Sequence, residues 1–238
     1  MEAENSRMEN VAIAKAVAAE RALSFVKDGM TLGLGTGSTA EIFIRKLAER
    51  VKAKELKVQC VPTSQRTAAL ARALGLELVE IEETSVIELT VDGADEVSPE
   101  LNLIKGMGGA LLWEKIVAKM SKEECIIVDS SKLVARLGEK TPLPVEVVPY
   151  GWKKTKQVIE EKFGCNAMLR RKGEEVYRTD SGNYLLECKF GKIEEAEMLE
   201  SELKLITGVV ETGLFCNLAS IVIVGDESGR TRELRKTT

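Results

Sequence analysis

Apolar positions along the first half of the chain alternate between two periods. Val11, Ala14, Val17, Ala18, Ala22 and Phe25 recur at helical spacing, which predicts an amphipathic helix over 9–27. Asp28-Gly29 ends it, and the short apolar run from Met30 to Leu34 reads as a buried strand. The helical period returns over 40–52, with Ile42, Ile44, Leu47 and Val51 facing inward. A strand over 56–61 stops at Pro62, a helix over 65–74 stops at Gly75, and strands over 76–81 and 87–91 follow. A helix over 110–120 and a strand over 125–128 complete the run. Strands alternating with helices predict an α/β fold, a mostly parallel sheet with helices on both faces.

The pattern changes near residue 142. Three of the five prolines lie between Pro142 and Pro149, a stretch expected to suit neither a helix nor an interior strand. A helix over 155–163 follows, then short strands over 167–171 and 175–179. Asp180-Ser181-Gly182-Asn183 reads as a hairpin turn into a strand over 184–189, before a charged helix over 194–205 and a short strand over 209–211. We therefore expect a small α+β subdomain over 142–213, inserted in a main α/β domain formed by 1–141 and 214–238. The apolar run 219–224 should return to the first sheet, and the basic tail from Arg230 is expected to be solvated and frayed.

Polar residues collect where the predicted strands end. Gly35-Thr36-Gly37-Ser38-Thr39 follows the first, Pro62-Thr63-Ser64 the second, Asp92-Gly93-Ala94-Asp95-Glu96 another, and Asp129-Ser130-Ser131-Lys132 the last of that half. Open α/β sheets bind ligands outside the carboxyl ends of their strands, so these loops mark a candidate site. The glycine loop can offer amides and hydroxyls to an anion at a helix start, or be a tight turn with a Ser/Thr cap. It fits neither the dinucleotide fingerprint nor the Walker A loop, which favours a small phosphorylated ligand over a nucleotide. Asp92 and Asp95 could raise one another's pKa and divide acid and base work, or each could close an Asx turn. Lys105-Gly106-Met107-Gly108-Gly109 precedes the helix carrying Glu114, which could be a base once desolvated or merely complement the helix dipole.

Composition narrows the chemistry further. The 238 residues include no histidine, so carboxylates and lysines must carry any proton transfer, and the commonest metal ligand is missing. A net charge of −4 gives no electrostatic case for a nucleic-acid partner. Five cysteines, odd in number and without a CxxC pair, suggest reduced thiols and a cytoplasmic location. No apolar run approaches the ~20 residues that cross a bilayer, and the polar residues 1–10 do not resemble a signal peptide.

Taken in order, Gly35-Thr36-Gly37-Ser38-Thr39-Ala40, Val91-Asp92-Gly93-Ala94-Asp95-Glu96, Ile104-Lys105-Gly106 through Glu114-Lys115-Ile116, Ser131-Lys132, Pro142-Leu143-Pro144-Val145-Glu146-Val147 and Thr212-Gly213-Leu214-Phe215 resemble the ribose-5-phosphate isomerase A family. The resemblance covers nearly the whole chain. It implies interconversion of D-ribose 5-phosphate and D-ribulose 5-phosphate through an enediolate, with neither metal nor cofactor. Glu114 matches the family's base, Asp92 and Asp95 its ring-opening and proton-shuffling carboxylates, and Lys105 a substrate-binding lysine placed to stabilise an oxyanion. Thr36, Gly37, Ser38, Thr39, Gly93, Ala94, Gly106, Met107, Gly108 and Lys132 match substrate contacts. Met107 stands where related sequences often carry Gly or Arg, and Trp113 where Arg is frequent. The implied partners are a small sugar phosphate and further copies of the chain, as homodimer or homotetramer, with no nucleic acid or membrane. A non-catalytic sugar-phosphate sensor on the same fold is the competing reading, but it would need a DNA-binding element, and the acidic N-terminal segment is too short for one.

Overall fold

Side chains on the strand Thr31–Leu34 point alternately to two faces, as the two-residue period of an extended chain requires. Leu32 and Leu34 join the larger core, and a Cβ on Gly33 would fall 2.7 Å from Val117 Cγ1 on the opposite face. This computed structural model describes residues 2–236 and divides into two units.

The first unit comprises Met1–Ala94, Trp113–Lys132 and Leu218–Thr238. Its seven-stranded sheet runs, in spatial order, Thr231–Arg235, Ile221–Gly225, Ser121–Asp129, Ile87–Asp92, Thr31–Leu34, Gln59–Pro62 and Glu77–Leu78. Every neighbouring pair is parallel except the first, which is antiparallel. Helices α1 (Glu2–Leu23), α2 (Ser38–Lys52) and α3 (Gln65–Ala73) supply Ala18, Phe43, Ile44, Leu47 and Ala71 to one core with the sheet's Leu32, Leu89, Ile127 and Ile223. Helix α4 (Leu111–Met120) places Val117 against Val61 and Ile87 on the other face. The expected α/β class, a mostly parallel sheet clad on both faces, is what the chain adopts.

Several boundaries differ from the sequence pattern: helix α1 starts at Glu2 rather than at residue 9, and the strand expected over 76–81 is only Glu77–Leu78. Helix α1 stops at Leu23 because Ser24, Phe25 and Val26 bond back three residues rather than four, tightening the chain out of the α-helix. Over its described residues the tail from Arg230 is not frayed. Thr231–Arg235 forms an edge strand with a five-residue register on Ile221–Gly225, and Arg21 donates to Glu233 at 2.7 Å. Its charged side chains are what an exposed edge tolerates, which is why composition alone suggested a loose end.

The second unit comprises Asp95–Leu112 and Leu133–Asn217. Its four-stranded antiparallel sheet has the order Val209–Thr212, Leu143–Val147, Tyr184–Lys189, Asn166–Leu169. Val145 and Val147 share a core with Ile159 of helix α5 (Trp152–Phe163) and Leu203 of helix α6 (Ala196–Lys204). Contrary to expectation, the proline-rich stretch supplies an interior strand. The Pro144 carbonyl accepts from Gly213 N at 2.7 Å, so its nitrogen faces the same side, where the ladder ends at the Val145–Thr212 pair. The missing donor therefore costs no bond to Tyr184–Lys189. Glu96–Val97, Leu103–Ile104 and Leu214–Phe215 form a small antiparallel sheet in the same unit. Glu96, fully buried, accepts from the amides of Gly138, Lys140 and Thr141 at 2.6–2.7 Å and so pins that loop.

Candidate active site

In the first unit the glycine loop and Asp92 are built as one object. Gly35 N donates to Val91 O at 3.0 Å, carrying the loop across the end of the neighbouring strand. A Cβ on Gly35 would lie 2.2 Å from Asp92 Oδ1, so only glycine lets the chain pass. The buried Asp92 carboxylate accepts from the amides of Thr36 at 3.0 Å and Gly93 at 2.7 Å. Thr36 Oγ1 meets the hydroxyls of Thr63 and Ser64 at 2.8 Å and of Thr67 at 3.1 Å, while Ser64 caps α3 through Thr67 N. This hydroxyl cluster fixes the loop from behind, a task beyond a simple tight turn.

Gly37 precedes α2 with φ 127°, a backbone that L side chains rarely adopt. Ser38 and Thr39 then open α2, where backbone amides and the helix dipole favour an anion. Ser38 is exposed, and its Oγ accepts from Lys15 Nζ of α1 at 2.9 Å. Lys15 is a cation beside the loop that the sequence did not flag. Glu114 sits in the first turn of α4 and is only 3% exposed, so the carboxylate is held in a dry setting. Lys132 closes the short turn Ser130–Lys132 after the strand Ser121–Asp129, half-buried, while Asp129 Oδ1 accepts from the amide and hydroxyl of Ser131.

The second unit carries Asp95, Lys105, Gly106, Met107 and Gly108. Asp95 N donates to Ile104 O at 2.8 Å, and its Oδ2 accepts from Met107 N at 2.9 Å. Lys105 is 2% exposed, with Nζ 5.4 Å from the Phe215 ring centroid. A buried ammonium over an aromatic face is a directed charge with little rotational freedom. Its backbone N donates to Gly213 O at 2.8 Å. Met107 and Gly108 are exposed at the tip of the loop. The two aspartates thus differ in setting: Asp92 ends a strand of the first unit and Asp95 begins the second, each holding backbone amides.

Chemically, the first unit offers amides, hydroxyls and Lys15 for an anion together with buried carboxylates at Asp92 and Glu114. The second offers a fixed cation at Lys105 and a carboxylate at Asp95. Among the described residues no group of three or more His, Cys, Asp or Glu is placed to hold a metal ion, and no helix is long and apolar enough to cross a membrane.

Residues 59–229 match the family model of ribose 5-phosphate isomerase A, also called phosphoriboisomerase A. A ribose-5-phosphate isomerase A of Gloeobacter violaceus is 51% identical over 218 residues, covering 91% of this chain and 94% of the relative. One from Bacillus mycoides is 50% identical over 216 residues, covering 90% and 96%. Among solved structures, a D-ribose-5-phosphate isomerase in complex with phospho-erythronic acid superposes with a TM-score of 0.92 at 40% identity, covering 95% of this chain and 99% of that one. Ribose 5-phosphate isomerase A of Methanocaldococcus jannaschii gives 0.88 at 41% identity, covering 93% and 98%.

Proposed function

The chain belongs to the ribose 5-phosphate isomerase A family, and from that premise we propose how its residues divide the work. The protein is an aldose–ketose isomerase that interconverts D-ribose 5-phosphate and D-ribulose 5-phosphate. In our reading the phosphate lies on the Thr36–Thr39 amides and hydroxyls, with Lys15 and Lys132 adding charge. Asp92 and Asp95 serve ring opening and the movement of protons among sugar oxygens. Glu114 takes the proton from C2 of the open aldehyde, and the electron pair moves into the C1–C2 bond as the carbonyl oxygen becomes an enediolate oxyanion. Lys105 stabilises that charge. Glu114 returns a proton to C1, the C2 hydroxyl loses its proton as the C2 carbonyl forms, and the O1 oxyanion is protonated. No redox partner is required.

The observation that carries the reading is Glu114 itself, a nearly fully buried carboxylate in the first turn of α4, in a chain with no histidine to act in its place. A positioned base contributes about 10²- to 10⁴-fold, with orientation and fixed charge supplying the rest. Proton NMR of ribose 5-phosphate in D₂O, with enzyme dialysed against a chelator, tests it. Wild type should form ribulose 5-phosphate with exchange at carbon, and Glu114→Gln should fold normally and lose at least 100-fold in kcat. Near-normal turnover by that variant would remove Glu114 as the base. Binding without conversion by the wild type would favour a sensor. We propose a homodimer or homotetramer on the family resemblance, checked by sedimentation, and a cytoplasmic location on the reduced-thiol reading of the five cysteines.

A further inference from the structure

The loop Lys105–Gly109 is too rich in glycine to hold its own shape, since each glycine leaves several backbone conformations open. One bond of its own, Gly109 N to Gly106 O at 3.0 Å, closes the turn. Beside the bonds of Lys105 N to Gly213 O and Met107 N to Asp95 Oδ2, the loop is held by Arg170, sixty-odd residues away on the four-stranded sheet's margin. Its side chain is 10% exposed. Nε donates to Glu187 Oε1 at 2.7 Å, and Nη1 donates to the carbonyls of Gly106 at 3.0 Å and Met107 at 3.2 Å. Nη2 lies 3.6 Å from Met107 Sδ. The guanidinium carbon stands 5.8 Å from the Tyr177 ring centroid, and a Cβ on Gly109 would fall 2.0 Å from the Tyr177 hydroxyl. Tyr177 N in turn donates to Arg170 O at 3.0 Å.

The Gly106–Met107 peptide is therefore gripped at both ends. Its carbonyl faces the Arg170 guanidinium, and its N–H donates to Asp95 Oδ2 at 2.9 Å. A trans peptide points these two groups in opposite directions from one rigid plane. That plane links a cation fixed by Glu187 to one of the candidate carboxylates. A charged donor on the carbonyl also polarises the amide and strengthens its N–H as a donor.

We propose that Arg170 is a positioning residue for the isomerisation, fixing the Gly106–Met107 peptide so that Asp95 is held in one orientation. The inference rests on the isomerase reading given above. Arginine is required because its planar fork reaches a carboxylate and two carbonyls at once, whereas lysine offers a single point of charge. Arg170 does not touch the reacting atoms and acts through the peptide. Its loss should lower turnover more than binding, since the phosphate is anchored elsewhere.

The test compares Arg170→Gln, Arg170→Lys and Glu187→Gln with wild type, using ribose 5-phosphate kinetics, thermal midpoints and amide hydrogen exchange at Met107. Arg170→Gln should lose at least tenfold in kcat with KM changed less than threefold, and Met107 exchange should quicken at least tenfold. Arg170→Lys should recover part of both. Glu187→Gln, which weakens the anchor of Arg170 but leaves the carbonyl bonds, should lose less kcat and quicken Met107 exchange less than Arg170→Gln. The proposal is overturned if Arg170→Gln keeps kcat within threefold, if Arg170→Lys recovers nothing, or if Met107 exchange in Arg170→Gln is unchanged. Should the wild type fail to convert ribose 5-phosphate, the isomerase reading falls, and the exchange measurement still decides whether Arg170 fixes the peptide.

Discussion

At Gly35 a single hydrogen atom lets the loop run past Asp92. A methyl group there would meet Asp92 Oδ1 at 2.2 Å, whereas nothing lies within 4 Å of the corresponding position on Gly37, whose demand is its backbone angle. Gly35→Ala should therefore cost about 1–3 kcal/mol by overpacking, pull Thr36 N off Asp92, and lower kcat at least tenfold. Gly37→Ala should be milder on both counts. Urea denaturation and steady-state kinetics compare them, and equal losses would show that backbone conformation, not crowding, governs the loop. The residues legible in the sequence were those where two chemical signals coincide within a few positions, such as the Gly-Thr-Gly-Ser-Thr run or a carboxylate after an apolar strand. Lys15 and Arg170 carried no local signal. Each is an ordinary basic residue until the fold brings it to a loop that is distant in sequence.

Elements followed their periodicity well where one face was buried and one wet, as in α2, and where a short apolar run was buried on both faces, as in the strand Ile87–Asp92. Elements failed where a rule of thumb stood in for geometry. Pro144 made Leu143–Val147 look unfit for an interior strand, yet its nitrogen points where no ladder partner is needed. The same strand carries Glu146, fully buried, accepting from Thr179 Oγ1 at 2.8 Å and Asn183 Nδ2 at 2.9 Å. Burial pushes its pKa above 4.5, Glu211 and Asp180 add to that, and the two hydrogen bonds only partly oppose it. The folded protein thus holds this proton more tightly than the unfolded chain. The contribution to stability is full below about pH 4.5 and is lost as pH rises through the folded pKa. Glu146→Gln should keep both donors satisfied and remove that dependence. The difference in thermal midpoint between variant and wild type should widen in favour of the variant above pH 4.5 and then level off. A constant difference across the range would show that Glu146 does not titrate with folding.

Across the whole molecule the five cysteines report on which regions are closed. Cys60, Cys125 and Cys188 are buried, and Cys165 and Cys216 are partly open. Burial, with Glu77 nearby, pushes the Cys60 thiol up to about 12, and burial beside Glu124 raises Cys125 as well. Cys188 gives a hydrogen bond to Cys165, which raises its own pKa and lowers that of its neighbour. An aromatic disulfide reagent at pH 8 should therefore titrate two thiols quickly in the native protein and all five in guanidinium chloride. Fast reaction of a third thiol would mean that one of the cores opens readily. The overall α/β class was visible from the alternation of periods. The division into units was less so, because Asp95–Leu112 reads as part of the first run of elements and clusters with residues of the second.

The first unit's sheet is also discontinuous in time. The strand Ser121–Asp129 receives one parallel neighbour, Ile221–Gly225, from about ninety residues further along the chain. On a ribosome adding about 5–20 residues per second, that edge waits roughly 5 to 20 s for its partner. Its central residues, Cys125 through Val128, form an unbroken apolar run during the interval. A nascent chain with such an edge is a substrate for holdase chaperones and for pairing with its neighbours on a polysome. The second unit's long segment, by contrast, emerges whole within the same interval, so that the unit built from the earliest residues is the later of the two to close.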